Sequence, residues 1–400
     1  MSLLSPGSHR VADLFSDEAL VAAMLTVEVS WSAALADTGV ATHAQAQMVA
    51  TTAARWDLAA SALAEATEAA GNPAGPLVSA LRAAAPDPDA AALVHFGLTS
   101  QDLLDTALIL LTHNAFDQLK TSLSATARAL AELARAHRDT VMAGRTLGRY
   151  AVPITVGLKA AQWLAGILDA RELLAQSGAT LPVQCGGAAG TLALLSTRTP
   201  QPRATVSSFA RRLGLSDPGV PWHTRRTPIT GIGHAVVTTC DALGVIAADV
   251  LALSRPGVDE IREARVPGRG GSSTMPHKQN PVLSVLIRGA ALKAPLLGAQ
   301  LHLAAAEAVD ERPDGAWHAE WEALRNLLVL VTTAAAHAAE LTAGLQVDTA
   351  AIKGHVEAAA SELLAERGGP GDPATYTGCA SEFVDSVLRR YAEEESEEES

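Results

Sequence analysis

Aromatic side chains make up only 4% of this 400-residue chain, and cysteines number three. No apolar run goes uninterrupted for the ~18 residues of a membrane-spanning helix. Each scarcity excludes something. With few aromatics, a helix buries little area alone, so further burial between subunits is expected. Cys185, Cys240 and Cys379 are widely spaced, with no CxxC and no nearby His pattern. That excludes a disulfide framework or zinc centre and fits a reducing cytoplasm. The stretch Cys185-Gly-Gly-Ala-Ala-Gly190 lacks a Walker lysine and a preceding strand, so it reads as a tight connection between helices. Neither a metal nor an organic cofactor is expected. The N-terminus has no apolar signal-peptide core. Net charge is −13, and Glu393 to Ser400 supplies six of those negatives, leaving a mildly acidic body without a basic stripe. Nucleic-acid and membrane partners are therefore not expected, and an anionic substrate would need locally placed Arg and Lys.

What is abundant is alanine and leucine, within a 48% hydrophobic composition. Such small side chains suit closely packed helices. Leu119, Leu123, Ala127, Leu130 and Ala134 recur at three- and four-residue spacing, as do Val236, Cys240, Leu243, Ile246 and Val250, and both stripes should face other helices. No strand-like alternation persists. The expected fold is all-α, a three-part helical subunit with a long central bundle. Residues 1–105 form an N-terminal helical domain, 106–347 the central bundle and 348–392 a C-terminal cap. Residues 393–400 form a disordered, solubilising acidic tail.

One segment concentrates chemistry: Gly268-Arg-Gly-Gly-Ser-Ser-Thr-Met-Pro-His-Lys-Gln-Asn-Pro281. Asn280 is a good N-cap and Pro281 suits the first helical position, so a helix should run from Val282 behind a loop. The Gly270-Gly271 pair lets Ser272 swing onto a ligand. Lys278 and Asn280 offer a cation and an amide beside exposed helix N–H groups, a set that suits a carboxylate or enolate.

This string resembles the signature of the fumarase/aspartase superfamily, Gly-Ser-Ser-x-Met-Pro-x-Lys-x-Asn, at Gly271, Ser272, Ser273, Met275, Pro276, Lys278 and Asn280. The resemblance implies that Ser272 exchanges a proton alpha to a carboxylate, while Lys278 and Asn280 hold the resulting aci-carboxylate, with Ser273 and Met275 beside them. His95-Phe-Gly-Leu-Thr-Ser-Gln-Asp102 reads as a helix cap, with Thr99 or Ser100 before Asp102. It is also similar to the superfamily's first block, which implies substrate contacts for His95, Thr99, Ser100 and Gln101. Gly144 to Pro153 occupies the second block, implying binding roles for Arg145 and Thr146. The resemblance further implies a homotetramer whose pockets each combine blocks from three chains.

The second block departs from the usual Gly-Arg-Thr-His-x-Gln, since Leu147 replaces the His and Arg149 the Gln. Leucine cannot move a proton, which disfavours leaving groups that need protonation there. A carboxylate of pKa ~4 leaves as a stable anion without such help. That chemistry belongs to the 3-carboxy-cis,cis-muconate cycloisomerase branch, and Asp310 to Trp321 resembles a run found in it. The expected activity is proton transfer alpha to a carboxylate of a small polycarboxylate, with a carboxylate as nucleophile or leaving group. Arg149 adds a cation where relatives have an amide. This keeps open a β-eliminating lyase on a 2-substituted succinate, releasing fumarate with nitrite or an amine. A catalytically retired structural protein is the remaining alternative.

Overall fold

The computed structural model describes residues 3–272, 274, 275 and 277–398. Helices dominate: α1 (Asp17–Asp37), α2 (His43–Ala54), α3 (Ala64–Ala70), α4 (Ala74–Ala84), α5 (Pro88–Leu93), α6 (Ser100–Ala136), α7 (Val156–Gly178), α8 (Ala193–Ser196), α9 (Pro202–Leu213), α10 (Thr227–Leu253), α11 (Val282–Ala306), α12 (Ala316–Ala343), α13 (Thr349–Ala358), α14 (Ala360–Leu363) and α15 (Ala380–Glu398). Local chemistry sets several starts. The Ser16 hydroxyl accepts from Ala19 N to open α1. Thr42 and Gln45 form a reciprocal capping box at α2, and Asp87 caps α5. Both long stripes read from the sequence are fully buried.

The chain divides into two compact units. One comprises the segments through Asp117, Ala175–His234 and Leu296–Val329. Its core includes Met24, Trp31, Leu77, Leu81, Leu103 and Phe209, and Trp31 meets Phe209 edge-on at 5.4 Å. The other comprises Gln118–Leu174, Ala235–Pro295 and the segment from Leu330. Leu119, Leu123, Leu164, Ile167, Leu243 and Val250 lie in its core.

Two local features differ from expectation within the all-α fold. Strands β1 (Val141–Thr146) and β2 (Arg149–Thr155) form an antiparallel hairpin, and β3 (Ile261–Arg262) pairs with β4 (Gln346–Val347). The hairpin turns through Leu147 and Gly148, with φ of 51° and 79°, the left-handed pair that suits a two-residue turn. Its register shifts between Ala143 and Arg145, and a Cβ on Gly144 would lie 2.5 Å from the Val152 carbonyl oxygen. Only glycine fits there. A one-residue bulge and a six-residue strand are too short to produce a readable period-two pattern.

The second departure is the acidic end, where α15 runs through Glu398. Glu394 pairs with Arg390 one turn earlier and Glu395 with Arg171, so specific cations offset a charge run that reads as self-repelling. Hydropathy also needs a correction. By length and composition alone, Ser8–Asp37, Thr227–Leu253, Val282–Ala306 and Ala316–Ala343 are apolar enough to cross a membrane. Averaging over alanine-rich windows gives this result even though polar residues interrupt each run. Within α12, Trp317 donates to Asp105 and Glu320 pairs with Arg226, the internal bonding of a packed bundle.

Candidate active site

The first block surrounds the start of α6. Asp102 Oδ2 accepts from Thr99 N at 2.9 Å, closing half a capping box as its spacing suggests. The same carboxylate also accepts from Gly186 N (2.9 Å) and Gly187 N (2.8 Å) and meets His223 Nε2 at 2.7 Å. Asp102 is fully buried and His223 nearly so, so this knot fixes the loop at 95–99, the Gly-rich connection and the 223 segment together. The Gly-rich stretch is thus a carboxylate cradle. Burial, reinforced by Asp102, pushes the adjacent Cys185 thiol well above its ordinary value and keeps it protonated.

Around the knot, Gln101 donates through Nε2 to the His223 carbonyl, while its buried Oε1 has no partner among the described residues. The Thr99 hydroxyl accepts from Arg312, which also donates to Ala188 O. Ser100 is half-buried at the helix mouth. His95 adopts a left-handed φ of 60°, uncommon without glycine or a turn amide. Fully buried Glu28 holds it there, with Oε1 2.6 Å from His95 Nδ1 and Oε2 accepting from its backbone N at 2.7 Å. A carboxylate acceptor places a proton on Nδ1, leaving Nε2 as the nitrogen able to exchange one.

The second block is the hairpin. Arg145 makes a bidentate pair with buried Glu260 at 2.7 and 2.8 Å, and its guanidinium lies 5.4 Å from the Tyr150 ring centroid. Glu260 also meets His355 Nδ1 at 2.8 Å. The bond to Glu260 raises the Arg145 pKa, so its charge is constant and already matched. Thr146 and Arg149 face each other across the last rung and are exposed, and Leu147 at the tip is wholly exposed.

The signature loop is tied mainly to itself. Asn280 donates to Gly270 O from its backbone (2.8 Å) and from Nδ2 (3.1 Å), and Gly271 bridges to Gln279. A Cβ on Gly270 (φ 75°) would come within 2.4 Å of Asn280 O, so this closure requires glycine. The Ser272 hydroxyl accepts from Met275 N at 3.1 Å and Thr274 N at 3.4 Å. Ser273 lies outside the described residues. The expected helix start at Val282 is observed, but its electrostatics differ from expectation. Glu263 accepts from Leu283 N (3.3 Å) and Ser284 N (2.7 Å), so a resident carboxylate fills the α11 mouth. The amides that reach the Ser272 hydroxyl are those of its own loop. A cavity of about 590 Å³ adjoins the segment, lined by Arg255, Arg265, Met275, His277, Lys278 and Asn280 among others. Lys278 is exposed and makes no side-chain bond among the described residues. Among those residues, no cluster of three His, Cys, Asp or Glu side chains is placed to hold a metal.

The family model described as Lyase matches residues 8–296. The chain belongs to this family. Similarity within this lyase family, the fumarase/aspartase superfamily, extends along most of the sequence. Nitrosuccinate lyase of Streptomyces davaonensis is 44% identical over 374 residues, covering 91% of this chain and 79% of that protein. 3-Carboxy-cis,cis-muconate cycloisomerase of Bradyrhizobium diazoefficiens is 40% identical over 370 residues, 91% and 80% of the two chains. The crystal structure of 3-carboxy-cis,cis-muconate lactonizing enzyme from Pseudomonas putida superposes with a TM-score of 0.87 at 31% identity, covering 96% of this chain and 97% of that one. Reading the lyase motifs alone misses Glu28, Glu260, Glu263 and Arg312, the groups that hold His95, Arg145, α11 and Thr99. Only Arg312 carries a sequence signal, through the run from Asp310 to Trp321.

Proposed function

We propose that the chain is a lyase of the cycloisomerase kind, acting on a small polycarboxylate as 3-carboxy-cis,cis-muconate cycloisomerases do. The observation that carries this reading is Ser272 with two amide donors on its Oγ, in a signature segment whose Lys278 lines a cation-rich cavity, in a chain with Leu147 at the hairpin tip. N–H donors to the oxygen favour the alkoxide, which makes a serine usable as a base. In the lactonising direction a substrate carboxylate oxygen bonds to an alkene carbon. The alkene electrons move into a second carboxylate, forming an aci-carboxylate beside Lys278, and the Ser272 hydroxyl then delivers its proton to the alpha carbon. Asn280 braces the loop, and Thr99, Ser100, Gln101, His95 and Arg312 bind the remaining carboxylates. In the reverse direction the carboxylate leaves with the bonding pair and needs no imidazole at position 147.

A second reading is favoured by the 44% identity to a nitrosuccinate lyase and by the exposed Arg149. There Ser272 takes the alpha proton of a 2-substituted succinate, nitrite leaves with its electron pair, and Arg149 meets the departing anion. Diene absorbance of a 3-carboxymuconate and fumarate release from 2-nitrosuccinate, measured on the same preparation, separate the two. Activity on nitrosuccinate alone would overturn the cycloisomerase reading. Arg149→Gln should raise KM about tenfold if Arg149 contacts an anion, and an unchanged KM places it outside the site.

The same proposal includes a cytoplasmic homotetramer with pockets shared between subunits, in which the first block, the second block and the signature loop of each pocket come from three different chains. Its support is an apolar stripe on α11, where Val285, Leu292, Leu296 and Leu303 are 53%, 64%, 71% and 70% exposed at helical spacing. Light scattering that gives an active monomer would remove it.

A further inference from the structure

The six tryptophans provide an internal control for hydrogen-bond satisfaction. Five indole N–H groups have acceptors: Trp31 on Phe96 O, Trp56 on Leu58 O, Trp163 on Asp249, Trp222 on Val183 O and Trp317 on Asp105. Trp321 Nε1 is buried and has none among the described residues. A buried, unmatched donor is destabilising and calls for an explanation.

Trp321 lines a cavity of about 420 Å³ whose other walls include Phe15, Leu104, Leu108, Leu324 and Arg325. Leu104 and Leu324 are almost fully buried. Arg325 donates through Nε to Phe15 O at 2.9 Å, and its terminal nitrogens make no hydrogen bond or ion pair among the described residues. The wall is therefore mostly apolar, and its polar groups include Trp321, whose indole donor is orphaned, and Arg325, a cation with free donors. Asp17 and Glu322 also line it and repel anions, so at most one negative charge is tolerated, and only against Arg325. None of the residues assigned to the lyase chemistry is among its walls.

We propose that this cavity binds a small apolar monocarboxylate, an aromatic or short-chain aliphatic acid. Its carboxylate accepts from Trp321 Nε1 and pairs with Arg325, and its hydrocarbon part lies between Leu104, Leu108 and Leu324. The volume falls in the range of small-molecule sites, and the lining has their usual character, mostly apolar with a few polar groups that orient the ligand.

The test uses 2-naphthoate titrated calorimetrically into the full chain. Saturable binding of one molecule per chain is expected. Trp321→Phe keeps the packing and removes the donor, so it should weaken binding about tenfold or more. Leu108→Trp should fill the space and abolish binding at an unchanged melting temperature. Lys278→Met should leave it intact, which separates this site from the signature-loop cavity. No saturable binding, equal affinity in Trp321→Phe, or loss of binding in Lys278→Met would each overturn the proposal. A smaller oligomer in Leu108→Trp would also do so, because a second copy of the chain would then be what covers the cavity.

Discussion

Thr99 and Ser272 are both hydroxyls assigned to carboxylate chemistry, yet their surroundings are built in opposite ways. Thr99 is 9% exposed, with its amide held by Asp102 and its hydroxyl by Arg312. Asp102 beneath it is fully buried and is itself tied to the distant Gly186, Gly187 and His223, while half-buried Arg312 reaches it from 213 residues away. Ser272 sits on a loop whose bonds run mainly within residues 269–280, the pair of Arg269 with Glu340 apart, and its neighbours Thr274, Met275 and Lys278 are exposed. A prebuilt binding block should be costly to break and tolerant of small ligand changes. A self-contained loop should be cheap to alter structurally and costly chemically.

Ser272→Ala is the sharpest chemical test. It should lower kcat by at least about a hundredfold, within the ~10²–10⁴ that a general acid–base contributes, while the melting temperature stays unchanged. Full activity in steady-state assays would end the serine assignment. Asp102→Ala should do the reverse, because it strands three buried amides and His223 at once. A stability loss of about 3–5 kcal/mol is expected from the urea midpoint at constant m. A loss below ~1 kcal/mol would mean that the first block is not held by this knot.

Glu263 tests the loop side at lower amplitude. Glu263→Ala removes the acceptor of the Leu283 and Ser284 amides and should cost about 1 kcal/mol, the ordinary value of an N-terminal cap. It also frees the α11 mouth, so succinate should bind more tightly in calorimetry. Unchanged succinate affinity would indicate that the resident carboxylate does not compete with substrate for this helix end.

The same contrast explains what could be read from the sequence. Local rules were sufficient for the Thr99 and Asp102 pairing three residues apart, the two buried stripes and the α11 start at Val282. The signature string gave Ser272 and Lys278 their expected roles through family likeness. The partners that organise the blocks were not legible. Glu28 lies 67 residues from His95 and Glu260 lies 115 from Arg145, and no periodicity connects such positions. Glu263 is 21 residues from Ser284, and only the folded β3 segment brings it to the helix. The acidic end failed for a different reason, since charge composition does not show that Arg171 waits for Glu395.

The smallest expected effect comes from a surface counterpart to the Asp102 knot in the same compact unit. Asp37, at the end of α1, accepts from Arg212 at 2.6 and 2.7 Å and from Ser208 at 2.6 Å, both on α9. The bond to Arg212, then that to Ser208, lowers its pKa to about 2. A carboxylate with a folded pKa below the unfolded ~3.9 adds stability that is complete above that value. The contribution is lost as pH falls from about 4 towards 2. Asp37 and Arg212 side chains are 30% and 39% exposed, so solvent and salt screen the pair to less than ~1 kcal/mol. Asp37→Asn should therefore lower the urea midpoint slightly at pH 6 and converge with the parent near pH 2. A difference that persists unchanged at pH 2, or one as large as that of Asp102→Ala, would show that burial is not what separates the two carboxylates.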